Sequence, residues 1–236
     1  MQHNLASELV RKLRSVDTPT ICNALEIAMG GRTAQGFTYG SIGAAPQPLP
    51  AIVGFARTAR IRASAPSQRS PQDVRRMRLD YYRYVAGGNA EVPIIVVMQD
   101  ADERPGIGSF WGEVNSVVHE GLGVAGVLTN GSVRDLGDLS PSFPILAGSV
   151  GPSHAHVHVE DIGTPVTVFG LEVVHGDLIH ADRHGAVLIA LEYLDALPAC
   201  IDLVQRKEAP LLAAARSGSF NLAMLEQAVL AADDIH

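Results

Sequence analysis

Hydrophobic residues follow two distinct patterns along the first half of the chain. Charged stretches carry apolar residues every three or four positions, which is typical of helices with one buried face. This spacing predicts helices over 5–13, after Asp17-Thr18-Pro19, over 71–86 and over 113–120. Between them, aliphatic runs predict strands over 52–62, 92–99 and 124–129. Helices and buried strands together predict a protein of the α/β class.

The second half is patterned differently, as short apolar segments separated by glycine and proline. These segments predict strands near 143–150, 155–159, 165–169, 178–181 and 186–190. Two stretches, 30–50 and 104–112, are rich in glycine and predict loops. From residue 191 the helical spacing returns, interrupted at Pro198 and Pro210. No linker separates these regions, so we expect a single α/β domain over 1–236, with a core at about 16–190 and a C-terminal helical segment at 191–236.

Composition narrows the functional classes. Hydrophobic residues make up 47% of the 236 positions and charged residues only 18%, which predicts a large core and some surface covered by sister subunits. The formal net charge of −7 disfavours nucleic acid and anionic membranes as partners. Cys22 and Cys200 have neither disulfide nor metal spacing, which favours the reducing cytoplasm. No aliphatic run approaches the length of a membrane span, and the first residues are typical of a helix rather than a signal peptide.

The most informative segment is 130–135 (NGSVRD), which follows the strand predicted over 124–129. Its glycine predicts a turn that places Arg134 and Asp135 at the carboxyl end of that strand, where α/β sheets bind ligands. Arg134 can bind a carboxylate or an enolate oxygen at two points, and Asp135 is an oxygen ligand of the type that Mg²⁺ or Mn²⁺ prefers. The pair predicts a metal-assisted site for a small oxo acid. The alternative is a surface ion pair beside the start of a helix.

A second candidate is the loop over 106–112, which lies between a predicted strand and a predicted helix. Its glycine spacing does not match a dinucleotide-binding fingerprint, and no lysine of a phosphate-binding loop follows it. The free backbone N–H groups at the start of the next helix nevertheless form an anion site that fits a small carboxylate. The alternative is that these glycines only allow a tight turn.

Alternating histidines offer a different chemistry. His154, His156 and His158 are predicted to share one face of a strand, because side chains two residues apart point the same way. Such a face would bind Zn²⁺ or Cu²⁺ and serve a hydrolase, or it would form a polar strand face or a subunit contact.

Other polar segments are better explained by structure than by catalysis. Residues 176–185 (GDLIHADRHG) fit a strand, a turn and a second strand, with each aspartate at a turn position. The arginines and tyrosines within 75–84 fit a solvated or subunit-packing helix face better than an RNA contact. Lys12 and Lys207 lie in charged helical contexts, so carbonyl chemistry would use a metal rather than an iminium.

Taken in order, four segments resemble the RraA-like family, which includes the class II 4-hydroxy-4-methyl-2-oxoglutarate aldolases. They are 18–25 (TPTICNAL), 111–114 (WGEV), 123–135 (GVAGVLTNGSVRD) and 176–187. The resemblance implies a swivelling β/β/α-type fold with N- and C-terminal helices, assembled as a homotrimer or homohexamer with active sites between subunits. It also implies a metal-dependent lyase, an aldolase or decarboxylase, that cleaves a 4-hydroxy-2-oxo acid or oxaloacetate to give pyruvate.

The resemblance implies roles for particular residues. Arg134 would bind the pyruvyl unit, and Asp135 would hold Mg²⁺ or Mn²⁺, largely through water. Glu113 would be an acidic group beside the metal, and Glu208 would reach the metal site of the neighbouring subunit. Backbone N–H groups of the loop would bind the substrate carboxylate. The implied catalytic residues are Arg134, Asp135 and Glu113, the substrate-binding residues are Arg134, Gly112, Val114 and Asn115, and the metal ligands are Asp135 and Glu208.

Three asparagines depart from the family pattern. Asn130 and Asn23 stand where aspartate is common, and Asn115 stands where leucine is usual. Asn130 cannot carry charge or act as a base, which would weaken or redirect catalysis. Asn115 would add a polar donor near the substrate and so change the aldol acceptor.

The family also contains non-catalytic members that regulate ribonuclease E by binding it. This regulator, bound to a protein partner such as a ribonuclease, is the alternative function for the chain. The presence of Arg134, Asp135 and Glu208 together favours the lyase, because a binding module needs none of them at a shared site.

Overall fold

Aliphatic runs of the sequence form the centre of a mixed β-sheet. The computed structural model describes residues 5–40, 42–45, 50–89 and 91–235. The strands in these ranges are β1 (Gly43–Ala45), β2 (Ile52–Arg62), β3 (Ile94–Asp100), β4 (Ser109–Trp111), β5 (Val124–Val133), β6 (Ile145–Val150), β7 (His158–Ile162), β8 (Val166–Val168), β9 (Leu171–Val173), β10 (Leu178–Asp182) and β11 (Gly185–Ile189). Nine of them form one sheet, and β8 and β9 form a separate antiparallel pair.

The order of strands in the large sheet is β1-β6-β5-β3-β2-β10-β11, with β4 paired to β5 and β7 paired to β2. The strands β6, β5, β3 and β2 run parallel, and so does β4 beside β5. The strands β1, β7, β10 and β11 pair in the antiparallel sense. Parallel strands that are covered on both faces have continuous apolar runs in their sequences, which is why these strands could be predicted.

The helices in the described ranges are α1 (Ser7–Arg14), α2 (Thr18–Met29), α3 (Pro71–Val85), α4 (Glu113–Gly121), α5 (Leu197–Ala215) and α6 (Leu222–Asp233). The chain divides into two compact units. The first contains Met1–Thr18 and Ala34–Ala190, and the second contains Pro19–Thr33 and Leu191–His236. In the second unit, α5 and α6 contact each other. None of the helices in the described ranges is long and apolar enough to cross a membrane.

Both faces of the large sheet are buried in the first unit. On β3, Val96 and Met98 pack in a core cluster that includes Tyr81 and Val85 of α3. The alternate residue, Val97, packs on the opposite face, in a cluster that includes the β8–β9 pair. The period of two along a strand sends neighbouring side chains to opposite faces. In this unit the β8–β9 pair, the central mixed sheet and helices form successive layers. The predicted α/β fold with N- and C-terminal helices is confirmed.

Several predicted boundaries are wrong. The turn expected at 130–131 is part of β5, which continues to Val133 with a register shift against β6 between residues 129 and 132. Pro198 lies in the first turn of α5 and Pro210 lies inside it, so neither interrupts the helix. The loop expected over 104–112 contains β4, and the loop expected over 30–50 contains β1. Residues 41 and 46–49 of that second loop lie outside the described residues. The prediction of a single domain over 1–236 stays a prediction.

Candidate active site

The paired ends of two parallel strands bring together the two segments that the sequence singled out. Trp111 of β4 lies opposite Val133 of β5, and the N–H of Arg134 donates to the carbonyl of Trp111 at 3.0 Å. The residues that follow these strands are therefore neighbours. Gly112 and the start of α4 follow one strand, and Arg134 and Asp135 follow the other.

Asp135 has an uncommon backbone conformation and a specific partner. Its φ of 55° lies in the left-handed region, which aspartate tolerates better than most side chains but which still costs energy. Its Oδ2 accepts a hydrogen bond of 3.2 Å from the backbone N–H of Glu113, the first residue of α4. The N-cap residue of this helix, Gly112, has no side chain to cap it. Asp135, from the segment after β5, therefore supplies the carboxylate that the helix N-terminus attracts.

Gly112 leaves the space that this arrangement needs. A Cβ atom at this position would lie 2.5 Å from Oδ2 of Asp135 and 3.0 Å from Cγ of Arg134. The Nε of Arg134 lies 3.6 Å from Oδ2 of Asp135, and about one third of each side chain is exposed. In the part of the chain that the structure describes, Oδ1 of Asp135 and the terminal nitrogens of Arg134 make no further hydrogen bond. These atoms are available to a ligand.

The first turn of α4 presents two more donors. The N–H groups of Val114 and Asn115 precede the first intrahelical hydrogen bond, which Ser116 donates to Gly112 at 2.9 Å. Neither N–H has a partner among the described residues. They lie at the helix end that carries the Asp135 carboxylate, so this end of the sheet combines a cationic side chain, a carboxylate oxygen and backbone N–H donors.

The side chain of Asn115 is already engaged within the protein. Its Nδ2 donates to the carbonyl of Phe110 at 2.6 Å, and its Oδ1 accepts from Oη of Tyr82 at 3.0 Å. The amide of Asn115, which the sequence predicted as a polar donor near the substrate, is therefore bonded within the protein at both its nitrogen and its oxygen.

A buried histidine lies below this turn. His119 is fully buried, and its Nδ1 lies 2.6 Å from the carbonyl of Asn115. Because a carbonyl only accepts, Nδ1 carries the proton, and Nε2 accepts from Oη of Tyr81 at 2.7 Å. Burial lowers the pKa of His119 to about 4, so the ring is neutral at pH 7. The ring of Trp111 lies 4.6 Å from that of His119.

A family model described as RraA-like (Aldolase/RraA) matches residues 18–188, most of the chain, including every residue of the site described above. The chain belongs to the RraA-like family. This family includes both aldolases and non-catalytic ribonuclease inhibitors. The resemblance inferred from the four sequence segments is confirmed.

The RraA-like chain is also similar to individual proteins. It is 31% identical over 102 residues to an uncharacterized protein of Methanocaldococcus jannaschii, a match covering 42% of this chain and 49% of that protein. The chain thus spans about half the length of this curated relative. A solved structure of an uncharacterized protein from Pseudomonas syringae pv. tomato has a TM-score of 0.69 at 18% identity, with 98% of this chain and 97% of that chain covered. Streptomyces coelicolor RraAS2, an unusual member of the RNase ES inhibitor RraA protein family, has a TM-score of 0.65 at 22% identity, with 87% and 96% covered. These two structures show a shared fold.

Asn130 of the RraA-like chain holds the neighbouring strand by its backbone. Its Oδ1 accepts from the N–H of Asp100 at 2.7 Å, and its Nδ2 donates to the carbonyl of Asp100 at 3.0 Å. An aspartate here would have no proton to donate to that carbonyl. The carboxylate of Asp100 is itself buried and accepts from the N–H groups of Asp102 and Gly106, while burial raises its pKa. Asn130 therefore joins β5 to β3, and the carboxylate of Asp100 joins β3 to the glycine-containing loop.

The loop after Asp135 is fixed to α4. Oγ of Ser116 accepts from the N–H of Ser140 at 3.0 Å, and Oγ of Ser140 donates to the carboxylate of Glu120. Both ends of the segment that follows β5 are thus bonded to the same helix, one through Asp135 and the other through Ser140.

Glu208 lies in the second unit, on α5, and outside the span of the family match. It is exposed and lines a cavity of about 370 Å³. The other residues that line this cavity are Asn23, Glu26, Ile27, Gly31, Arg32, Val204 and Lys207. Its expected place at the metal site of a neighbouring subunit stays a prediction.

The three alternating histidines do not share a strand face. Residues 155 and 156 form a turn, in which Ala155 has a φ of 44°, and β7 begins only at His158. Nδ1 of His154 bonds the carbonyl of Ala155, and Nδ1 of His158 bonds the carbonyl of His156. The strand predicted over 155–159 is therefore wrong in its first half, and with it the geometry proposed for a Zn²⁺ or Cu²⁺ site.

The segment 176–185 has the structural role that its sequence predicted. Asp177 accepts from the N–H of Val174 at 2.8 Å within a turn. Asp182 accepts from the N–H groups of His184 and Thr18, at 2.8 and 3.1 Å. These hydrogen bonds form two turns and join Thr18 to β10.

The sequence did not predict two groups of contacts around the site. The first is the pair of hydrogen bonds from the Asn130 side chain to the backbone of Asp100, which we call the clasp. The second is the set of bonds made by the Asn115 and His119 side chains. A usable signal was present for the second group. His119 stands four residues after Asn115, the spacing at which a helical side chain reaches the preceding carbonyl.

Proposed function

We propose that this RraA-like chain is a divalent-metal-dependent lyase that cleaves a 4-hydroxy-2-oxo acid or oxaloacetate to give pyruvate. The observation that carries the proposal is the convergence of three kinds of group at the paired ends of β4 and β5. These are the terminal guanidinium nitrogens of Arg134, Oδ1 of Asp135, and the N–H groups of Val114 and Asn115, none of which has a hydrogen-bond partner among the described residues.

Different protein groups bind different parts of the substrate. The N–H groups of Val114 and Asn115, at the positive end of the α4 dipole, bind the substrate carboxylate. Arg134 binds the oxygen on which negative charge develops as the carbon–carbon bond breaks and the pyruvyl fragment keeps the electron pair. Its planar guanidinium keeps its charge at any relevant pH, so this stabilisation does not depend on a proton.

The residues present fit Mg²⁺ or Mn²⁺. Asp135 offers a hard carboxylate oxygen that no protein group occupies in the described ranges, and the exposed carboxylate of Glu113 begins the adjacent helix. No group of three or more histidine, cysteine or acidic side chains able to hold a metal occurs among the described residues of one chain. This donor set suits an ion that keeps several waters. When bound, such an ion polarises the 2-oxo group as a Lewis acid.

Proton transfer falls to a carboxylate in this proposal. His119 is buried, neutral and bonded through both ring nitrogens, so it is not the base. Glu113 is exposed beside Asp135 and is the residue we assign to accept the proton of the 4-hydroxyl group, directly or through water.

A homo-oligomer, trimer or hexamer, completes the proposed site. Val114 is 66% and Val117 54% exposed on α4, and Leu136 beside Asp135 is 49% exposed. Exposed apolar side chains of this kind around a polar site suit burial by another subunit. Glu208 of a neighbouring copy is the acidic residue that we expect there.

A pyruvate-release assay coupled to lactate dehydrogenase tests the proposal. With Mg²⁺ or Mn²⁺ supplied, we expect release from at least one member of a panel of 4-hydroxy-2-oxo acids and oxaloacetate, and loss of release with EDTA. Borohydride added with substrate should not inactivate the protein, because no iminium forms. No release above the metal-only background from any substrate would favour the regulator, and a borohydride-trapped adduct on Lys12 or Lys207 would overturn the mechanism.

A further inference from the structure

The hydrogen bonds of Asn115 connect three elements at one point. Its Nδ2 bonds the carbonyl of Phe110 on β4, its Oδ1 bonds Tyr82 on α3, and its own carbonyl bonds His119 one turn along α4. Side-chain bonds at both ends of one amide leave it no alternative orientation. The first turn of α4 is thus fixed both to the strand before it and to the helix beside it.

His119 extends this fixation into the core. Its Nε2 accepts from Tyr81, which is fully buried and precedes Tyr82 on α3. Two neighbouring tyrosines of one helix therefore support the same turn of another, one directly through the Asn115 side chain and one through His119. The hydrogen bonds of Asn115, His119 and the two tyrosines together make this turn rigid.

We propose that Asn115 and His119 are positioning residues, which hold the first turn of α4 so that its free N–H groups keep a fixed direction toward the substrate carboxylate. The proposal rests on the lyase function proposed above. It gives a reason for the asparagine where leucine is usual: in this chain the amide anchors the turn, and only its backbone meets the substrate. Loss of the anchor weakens ground-state binding of the carboxylate, so it raises KM more than it lowers kcat.

Three substitutions on α3 make a matched test. Tyr82→Phe removes the hydroxyl that bonds Asn115, and Tyr81→Phe removes the one that bonds His119. Tyr84→Phe, two residues further along the same helix, removes a hydroxyl that bonds Thr58 and His175 and not α4. Tyr84→Phe loses two hydrogen bonds and each of the other variants loses one, so a purely structural role predicts at least as large an effect on stability and kinetics from Tyr84→Phe as from the other two.

We expect Tyr82→Phe to raise KM about fivefold, the effect of one lost hydrogen bond between neutral groups, with kcat within about twofold of wild type. Tyr81→Phe should act in the same direction and Tyr84→Phe should leave KM unchanged. Hydrogen exchange of the Ser116 amide, which donates the first intrahelical bond of α4, should accelerate in the first two variants and not in the third.

The outcomes separate this inference from the lyase proposal. If wild type releases pyruvate while Tyr82→Phe and Tyr84→Phe share one KM and one Ser116 exchange rate, the positioning role is wrong and the lyase stands. If wild type releases no pyruvate, the lyase is wrong, and the exchange rates alone decide whether these residues hold the turn. Equal exchange in all variants then refutes the anchor as well.

Discussion

At the scale of single residues, Arg134 carries the largest kinetic expectation. Arg134→Ala removes a charged donor aimed at the developing enolate, and we expect a loss of roughly 3 kcal/mol of transition-state stabilisation, about a hundredfold in kcat. Arg134→Lys should recover only part of this, because an ammonium group lacks the planar fork. Pyruvate release measures both variants. Arg76→Ala, which breaks an exposed ion pair with Asp73, is the control and should match wild type.

Gly112 provides a steric test of the same site. The methyl group of Gly112→Ala would overlap Oδ2 of Asp135 and press on Arg134, so both functional side chains must move. We expect loss of most activity with little change in the free energy of unfolding. Gly137→Ala lies on the loop that follows Asp135, where an added Cβ meets nothing within 4 Å, and should remain active. An active Gly112→Ala enzyme would show that the observed positions of Arg134 and Asp135 are not the working ones.

Asn130→Asp tests whether the missing family aspartate matters for stability or for chemistry. The substitution loses the hydrogen bond to the carbonyl of Asp100 and places a carboxylate oxygen against that carbonyl. We expect a loss of about 2 kcal/mol or more in the free energy of unfolding, measured with urea, and no gain in kcat. Higher activity in this variant would instead mean that the asparagine suppresses catalysis.

How much of the site can be predicted from the sequence depends on whether its contacts are local or join distant parts of the chain. A shared site for Gly112 and Arg134 was implied by the family resemblance, although β4, whose pairing with β5 makes the two residues neighbours, lay in a predicted loop. The bonds of Asn130 and Asn115 were not predictable, because each joins residues whose side-chain directions are fixed only by the pairing of β5 with β3 or by the packing of α3. The strand misplaced at 155–159 failed for a local reason: alternation of polar residues also fits a turn.

At the scale of elements, His119 on α4 makes the free energy of unfolding depend on pH. Its pKa is lowered from 6.5 to about 4 by burial, so the unfolded state takes up the proton first as the pH falls. The neutral ring therefore stabilises the fold fully above about pH 6.5, and this contribution of about 3 kcal/mol is lost as the pH falls toward about 4. His119→Phe should flatten the decline of unfolding free energy between these pH values.

Urea unfolding at several pH values measures the effect, with His156→Gln as the control. The side chain of His156 is exposed, so its removal should leave the slope of wild type. Identical slopes in wild type and His119→Phe would mean that His119 is protonated in the folded protein or is accessible to water.

At the scale of the whole molecule, the decisive question is whether two chains build one site. Asp135 and Glu208 belong to different compact units, and in the proposed assembly they meet across a subunit interface. Asp135→Ala and Glu208→Ala should each be nearly inactive. Mixing the two under conditions of subunit exchange should restore part of the activity, because some interfaces then carry both intact residues.

Two additions make the mixing experiment decisive. Native mass spectrometry of the mixture confirms exchange, and mixing Asp135→Ala with Arg134→Ala is the control, since these neighbours share one half of the site and cannot complement each other. Failure to recover activity despite confirmed exchange would place Glu208 in its own subunit's site or outside the chemistry.

The clasp formed by Asn130 also governs the chemical ageing of this protein. An asparagine followed by glycine deamidates readily in a flexible chain, through attack of the glycine nitrogen on the side-chain amide. Here both ends of that amide are bonded to Asp100, and the N–H of Gly131 donates to Oγ1 of Thr129 at 3.0 Å. The folded sheet therefore protects the Asn130–Gly131 pair from deamidation, and each unfolding event exposes this pair. Deamidation leaves an aspartate or an isoaspartate, neither of which can donate to the carbonyl of Asp100, so a chain that has been unfolded for long enough refolds to a less stable protein.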